Sequence, residues 1–344
     1  QNTYLIFMSD NGGRTSIPGA PASDLNRNTP LRDGKHSFYE GGIRVPFIVL
    51  GPGVPPNSVC TVPVNGVDLL PTFADLAGYP DPLPRNIDGG SLRQLLHNGG
   101  EGSVERPNPF LVFHQAVDRK PISAIRMGDF KLVKTWEEDR LEQFDLSRDL
   151  SEADDLSKRM PEKTQELHAL LTGYLEEVGA DKPRSNRKGK NRKKAGDRTP
   201  QEGVGDLRNA LIPAGSRPNV LFLAIDDLND WVGALDGHPQ AKTPNLDRLI
   251  SQSVVFRNAH CAAPVCGASR HALLSGLRPS TTGWYSNASK RLRSYVQTLG
   301  ETVPMPTHFK RNGYRTLAAG KVFHKGTSDV QGYDYWDEER PKYK

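Results

Sequence analysis

The sequence predicts an α/β fold: a mostly parallel central sheet flanked by helices, with a small antiparallel sheet and one helix beside it. Three observations predict it. Apolar runs at Tyr4–Met8 and Val220–Ile225 read as buried strands, being short, uninterrupted and bounded by turn formers. Each ends in a pair of oxygen-bearing side chains, Asp10-Asn11 and Asp226-Asp227, and ligand sites in open α/β sheets lie at the carboxyl ends of strands. Lastly, strand-like runs at Phe110–Phe113, Ile122–Arg126 and Phe130–Lys134, with a Gly128-Asp129 turn, precede a helix pattern from Pro161 to Val178.

At 344 residues, 36% hydrophobic and 25% charged, the chain can bury a substantial core. It has no apolar run of about 18 residues, so no membrane-spanning helix is expected, and no secretory signal peptide is visible. It opens on Gln1 directly into a strand pattern and stops at Lys344 without a terminal element. Both ends therefore read as cut. The net charge of +5 is local: residues 184–198 hold eight Lys/Arg against one Asp, leaving the remainder slightly acidic. That pattern reads as a charged linker and not as a nucleic-acid-binding face. Three cysteines, Cys60, Cys261 and Cys266, make no disulfide framework.

In chain order, Asp10 and Asn11 offer a carboxylate and an amide oxygen, hard ligands suited to Ca²⁺ or Mg²⁺. Residues 14–34 form a polar loop, and Pro46–Leu50 reads as a strand. Asp68–Gly78 reads as a short helix with Asp68 as N-cap and Gly78 as stop. His114, near a strand end, reads as structural. In the helix from Pro161, residues Leu167, Leu170, Leu171, Tyr174, Leu175 and Val178 share one face, with Gly179 as stop. Residues 180–216 have no apolar periodicity and read as a disordered basic linker. Then the chain starts again. Asp226 and Asp227 are adjacent carboxylates after a buried strand, costly without a cation. Thr243-Pro244 marks a helix start, residues 302–313 another short helix, and Arg315–Ala319 a strand.

The stretch Cys266-Gly267-Ala268-Ser269-Arg270 opens a short helical run over Ala268–Ser275, closed by Gly276. A thiol there lies at the positive end of a helix dipole, which favours its ionisation and the holding of an anion. Arg270 lies on the same face one turn on. This segment, with Leu274-Ser275-Gly276-Leu277-Arg278, resembles the C-x-[PA]-S-R signature of type I sulfatases, enzymes of the alkaline-phosphatase-like superfold. Pro30–Lys35 and Tyr39–Pro46 are similar to the family's P-L-R-x-G-K and Y-E-G-G-x-R-V-P runs. Asp226–Trp231 and Gly320-Lys321-Val322-Phe323-His324 lean toward its iduronate-2-sulfatase-like branch.

The resemblance implies a sulfuric ester hydrolase acting on a sulfated small molecule or glycan, outside the cytoplasm in the periplasm or beyond. Cys266 would be oxidised to formylglycine, the nucleophile, by a maturation enzyme. Asp10, Asn11, Asp226 and Asp227 would hold one divalent cation, Ca²⁺ or else Mg²⁺, beside residue 266. Lys35, Arg270 and Lys321 would neutralise sulfate oxygens, and His324 would contact the nucleophile or the sulfate. The halves stand in transposed order. Residues 1–179 resemble the family's C-terminal part and 217–344 its N-terminal part, joined through 180–216. The family's middle section, with the histidine that protonates the leaving alcohol, has no counterpart. A circular permutant that lost its middle, or a fusion of two neighbouring genes, would produce this order, and the sequence favours the fusion. Two other functions fit less well: a phosphoryl hydrolase of the same superfold, which would present Ser or Thr at position 266, and an inactive fragment.

Overall fold

The computed structural model describes residues 2–16, 27–78, 83, 86–118, 120–185, 217–287, 299, 302–324 and 330–337. Its first part runs β1 (Thr3–Ser9), α1 (Glu40–Ile43), β2 (Phe47–Leu50), β3 (Ser58–Cys60), β4 (Val64–Asn65), α2 (Leu69–Leu76) and α3 (Arg93–His97). Next come β5 (Leu111–Gln115), β6 (Val117–Asp118), β7 (Ile122–Met127), β8 (Phe130–Thr135), β9 (Arg140–Asp145), α4 (Pro161–Glu177) and β10 (Arg184–Ser185). The last part runs β11 (Asn219–Ile225), α5 (Pro244–Ile250), β12 (Val254–Phe256), β13 (Ala259–His260), α6 (Cys266–Ser275) and α7 (Pro279–Thr282). It closes with α8 (Met305–Arg311), β14 (Leu317–Ala319) and β15 (Tyr335–Asp337).

The fold is α/β, and its main sheet interleaves the two halves. Five strands lie in the order β11-β1-β2-β12-β3. Pairs β11–β1 and β12–β3 are parallel, while β2 is antiparallel to both neighbours. Four strands thus run one way and one the other. A strand of the second half, β12, sits between two strands of the first, and β13 pairs with β4 in a two-stranded sheet. Ile6, Met8, Phe47, Val49, Val254 and Phe256 fill the core beneath. Each fully buried aliphatic or aromatic side chain contributes roughly 1.5–3 kcal/mol.

The second sheet, β5-β7-β8-β9, is antiparallel throughout. Helix α4 covers it, packing Leu167, Leu171, Tyr174 and Leu175 on Phe110, Val112, Ile125 and Leu132. The periodicity of residues 161–178 foretells this face, with Pro161 opening the helix and Gly179, at φ 57°, ending it. Strand β9 has no counterpart among the expected elements: its Arg140-Leu141-Glu142-Gln143 run is too polar to signal a strand.

Several expectations change. The Val220–Ile225 run is an edge strand and not a buried one: Leu221, Leu223 and Ile225 are 48%, 38% and 37% exposed. Apolar character records what a strand can bury, not how many neighbours it has. Asp68 does not cap α2. It closes a capping box with Asn65 on the preceding 3₁₀ turn, accepts from the Gly90 amide at 3.0 Å and pairs with Arg106 at 2.6 Å. Thr243 stands at the N-cap of α5 with Pro244 opening the helix, as the sequence reads, while its hydroxyl accepts from the Gly233 amide and donates to Asp247. Arg184–Ser185, placed in the linker by composition, pairs with Val117–Asp118. The linker's residues 186–216 lie outside the described ones.

Candidate active site

The register of one strand pair builds the site. β1 and β11 pair from Thr3↔Asn219 to Ser9↔Ile225, and the next residue on each is an aspartate. Asp10 and Asp226 therefore emerge side by side, though 216 positions apart in sequence. The Asp10 amide donates to the Ile225 carbonyl at 2.9 Å, and the Asp227 amide donates to Asp10 Oδ1 at 3.2 Å. Asp227 holds φ at 58°. This left-handed geometry costs an Asp on the order of 1 kcal/mol and turns the chain sharply after the strand. The Ser9 hydroxyl stitches the two loops, accepting from the Leu228 amide at 2.9 Å and donating to the Asn11 carbonyl at 2.8 Å.

Helix α6 arrives from the other side with Cys266 as its first residue, two positions earlier than the sequence pattern suggests. Gly276, at φ 69°, ends it as expected. Each aspartate meets a cation, and Asp226 meets two. Arg270 Nε donates to Asp10 Oδ2 at 2.6 Å, and its far nitrogen reaches Asp226 Oδ1 at 3.5 Å. Lys321 Nζ pairs with Asp226, and Arg270 also donates to the Lys321 carbonyl. Lys35 Nζ lies 2.6 and 2.8 Å from the oxygens of Asp227 and 2.9 Å from Cys266 Sγ. Asn11 Nδ2 donates to Asp227 Oδ1 at 2.8 Å. Eight of the nine residues singled out by sequence thus meet in one hydrogen-bonded cluster. The ninth, His324, lies near His271 and opposes its protonation; burial, the larger cause, and His324 together pull His271 down to about 3.

Burial grades the site. Asp10 and Asn11 are buried, whereas the Asp226 side chain is 43% exposed and that of Lys321 23%. The cluster therefore opens to solvent on the Asp226–Lys321 side. Arg270 and Lys321 also line an open groove of about 720 Å³, whose walls include Leu221, Leu223 and Phe309. Burial pushes Asp10 up to about 6 against the pull of Arg270. Burial also pushes on Asp226, but hydrogen bonds from Asp10 and Lys321 win and hold it below the ordinary carboxylate range. Burial would lower Lys35; its hydrogen bonds to Asp227 and Cys266 overcome this and keep the ammonium charged.

The Cys266 thiol contradicts the helix-dipole expectation. Burial raises its pKa, Asp10 and Asp226 add to the rise, and Lys35 only partly opposes them. The half charge of a helix end is outweighed by a buried position beside two carboxylates. Two serines went unremarked in the sequence. Ser269, inside the Cys266–Arg270 motif, donates to the Asp10 carbonyl, and Ser9 was hidden as an ordinary strand end.

The residues fit a hard divalent cation. One ligand atom from each of Asp10, Asp226, Asp227 and Cys266 lies within 4.8 Å of all the others. Asn11 Oδ1 is buried without a hydrogen-bond partner, an oxygen for which a cation would account.

The family model described as Sulfatase matches residues 1–79 and 218–341, more than half of the chain. The chain belongs to the sulfatase family. A sulfatase of Formosa agariphila is 40% identical over 135 residues, covering 36% of this chain and 27% of that relative. Iduronate 2-sulfatase of Mus musculus is 41% identical over 118 residues, covering 34% of this chain and 20% of that sulfatase. The matched regions thus span less than a third of the length of either. Among solved structures, Ps i-CgsB in complex with k-i-k-neocarrahexaose is 31% identical with a TM-score of 0.40, covering 52% of this chain and 36% of that one. Among the described residues, no helix of this sulfatase-family chain is long and apolar enough to cross a membrane.

Proposed function

We propose that this chain hydrolyses the sulfate ester of a small molecule or glycan, with residue 266 at the reacting position. One observation supports this above the rest. In a sulfatase-family chain, Lys35, Arg270 and Lys321 converge with three aspartates on Cys266, from sequence positions 231, 4 and 55 residues away.

Asp10, Asn11, Asp226 and Asp227 would hold a calcium ion, or else magnesium, which when bound would polarise the sulfate group. Oxidation of Cys266 to formylglycine would supply an oxygen nucleophile where the buried thiol stays protonated. Lys35, kept charged, takes a sulfate oxygen presented at Cys266 Sγ. Arg270 is oriented by Asp10 and the Lys321 carbonyl, so its guanidinium is set before substrate arrives. Lys321, on the open side, meets the anion as it enters. Three cations and three carboxylates cancel; a divalent ion would leave the positive excess that an anionic ester needs.

The test is sulfate release from aryl sulfates and sulfated disaccharides by the chain co-produced with a formylglycine-generating enzyme. Sulfate release, together with an aldehyde in place of the thiol in the peptide spanning residue 266, is the expected result. Loss of that release in Cys266→Ala, which should stay folded, completes it. An unmodified Cys266 in a host that matures other sulfatases counts against the reading. Phosphate released faster than sulfate would move the chain to phosphoryl transfer. A matured, calcium-binding protein that releases neither would be an incomplete enzyme.

A further inference from the structure

Behind the site lies a second charged cluster that the reaction does not use. Lys131 of β8 places Nζ 2.8 Å from Glu40 Oε1 and 2.8 Å from Glu152 Oε1, and all three side chains are fully buried. Glu152 Oε2 accepts the Glu40 amide at 2.6 Å, capping the start of α1. The other oxygen of Glu40 takes Arg44 at 2.8 Å and His260 at 3.2 Å. Glu152 also accepts Arg32 on its main-chain carbonyl at 2.9 Å. The cluster joins the small sheet, the first half and the second half at one point.

What it grips is a pedestal of bare backbone. Gly42 O of α1 accepts the Gly12 amide at 3.0 Å, next to Asn11, and the Gly41 amide donates to Arg32 O at 2.9 Å. The Lys35 amide donates to Gly13 O at 2.8 Å. A Cβ on Gly12 would stand 2.1 Å from Gly41 O, and one on Gly42 would stand 2.0 Å from Ser37 O. No side chain cushions these contacts. A shift of α1 therefore passes directly to the Asn11 loop and the Lys35 loop.

We propose that Lys131 is a positioning residue for the site: by clamping Glu40 and Glu152 it holds α1, and through α1 it holds Asn11 and Lys35. The inference rests on the reading of the site given above. A buried ion triad stabilises a fold no better than well-packed apolar groups would. What it adds is position: the ammonium hydrogen-bonds Glu40 and holds Glu152 at ion-pair distance, so the two carboxylates keep a fixed spacing.

Lys131→Met alone leaves two buried carboxylates facing each other and is expected to destabilise the fold. The working variant is therefore the double Lys131→Met/Glu152→Gln in the full chain. It removes one charge of each sign and keeps an acceptor for the Glu40 amide. Hydrogen exchange is read at the Gly12, Lys35 and Gly41 amides, and calcium affinity by calorimetry. The expected result is exchange at those three amides at least about tenfold faster, with α6 and β1 unchanged. Calcium affinity should fall about 10- to 100-fold, the usual effect of losing a partner that orients ligands. Glu152→Gln alone, with Lys131 still on Glu40, should keep the protection. Wild-type exchange in the double variant overturns the proposal. So does acceleration spread evenly over the chain, or loss of protection in Glu152→Gln alone. If the wild-type chain neither binds calcium nor releases sulfate, the reading of the site fails, and the exchange rates still decide the positioning role.

Discussion

The ammonium of Lys35 bridges Asp227 and Cys266. Lys35→Met should lower kcat for sulfate release by about 10²–10³, the scale for losing one donor to developing charge, with thermal stability little changed. A loss confined to KM would make Lys35 a binding residue only. The aspartates make a second prediction. Calcium should raise the melting temperature by mass action on the folded state. Asp10→Ala and Asp226→Ala should each remove that gain, since both carboxylates belong to one cluster. If only one of them does, the two loops do not share an ion. Glu152 makes a third. Burial, with Glu40 nearby, raises its pKa from 4.5 to about 7 although Lys131 opposes the rise. The folded state thus keeps a proton that the unfolded chain releases, and the stability this supplies is present below pH 4.5 and lost as pH rises to about 7. The wild-type melting temperature should fall across that window relative to Glu152→Gln. Parallel curves would remove Glu152 as the cause.

At the scale of elements, β12 shows how tightly the halves are joined. Phe256 stacks on Phe47 of β2 with ring centroids 4.5 Å apart, and both are buried. Phe256→Ala should cost about 3–5 kcal/mol by cavity formation, measured by denaturant unfolding in a single transition. Two separated transitions would mean that the halves fold independently. Helix α6 and the strands β1 and β11 were each legible locally, the first over Ala268–Ser275 with its Gly276 stop and the others from two apolar runs. Local pattern alone gave no partnership, because a short apolar run carries no address for its neighbour; only the family resemblance implied that these segments meet.

For the whole molecule, interleaving outweighs chain order. Trypsin should cut first within residues 184–198, where eight Lys/Arg crowd together. The two fragments should then co-elute under native conditions, since β12 lies between β2 and β3, and β11 lies on β1. Fragments that separate would contradict a shared sheet. The same interleaving allows residues 1–179 and 217–344 to stand in transposed order around one site, as we propose, because the sheet is indifferent to which edge of the chain comes first.

The sequence by itself determined the chemistry on offer. Short motifs put Asp10-Asn11, Asp226-Asp227 and Lys321 just after strands, Cys266–Arg270 at a helix start and Lys35 in a loop, and local propensity and turn residues suffice for that. The family resemblance implied that these residues meet; the tertiary structure decided how. The β1–β11 register brings Asp10 to Asp226, the α6 docking brings Arg270 onto both, and the buried surroundings keep the Cys266 thiol protonated. It also decided the Glu40–Lys131–Glu152 cluster, whose members are spread over 112 positions and individually look like solvated surface charge. Proximity between distant residues and the loss of water around them are properties of the packed chain. No window of neighbouring residues contains them.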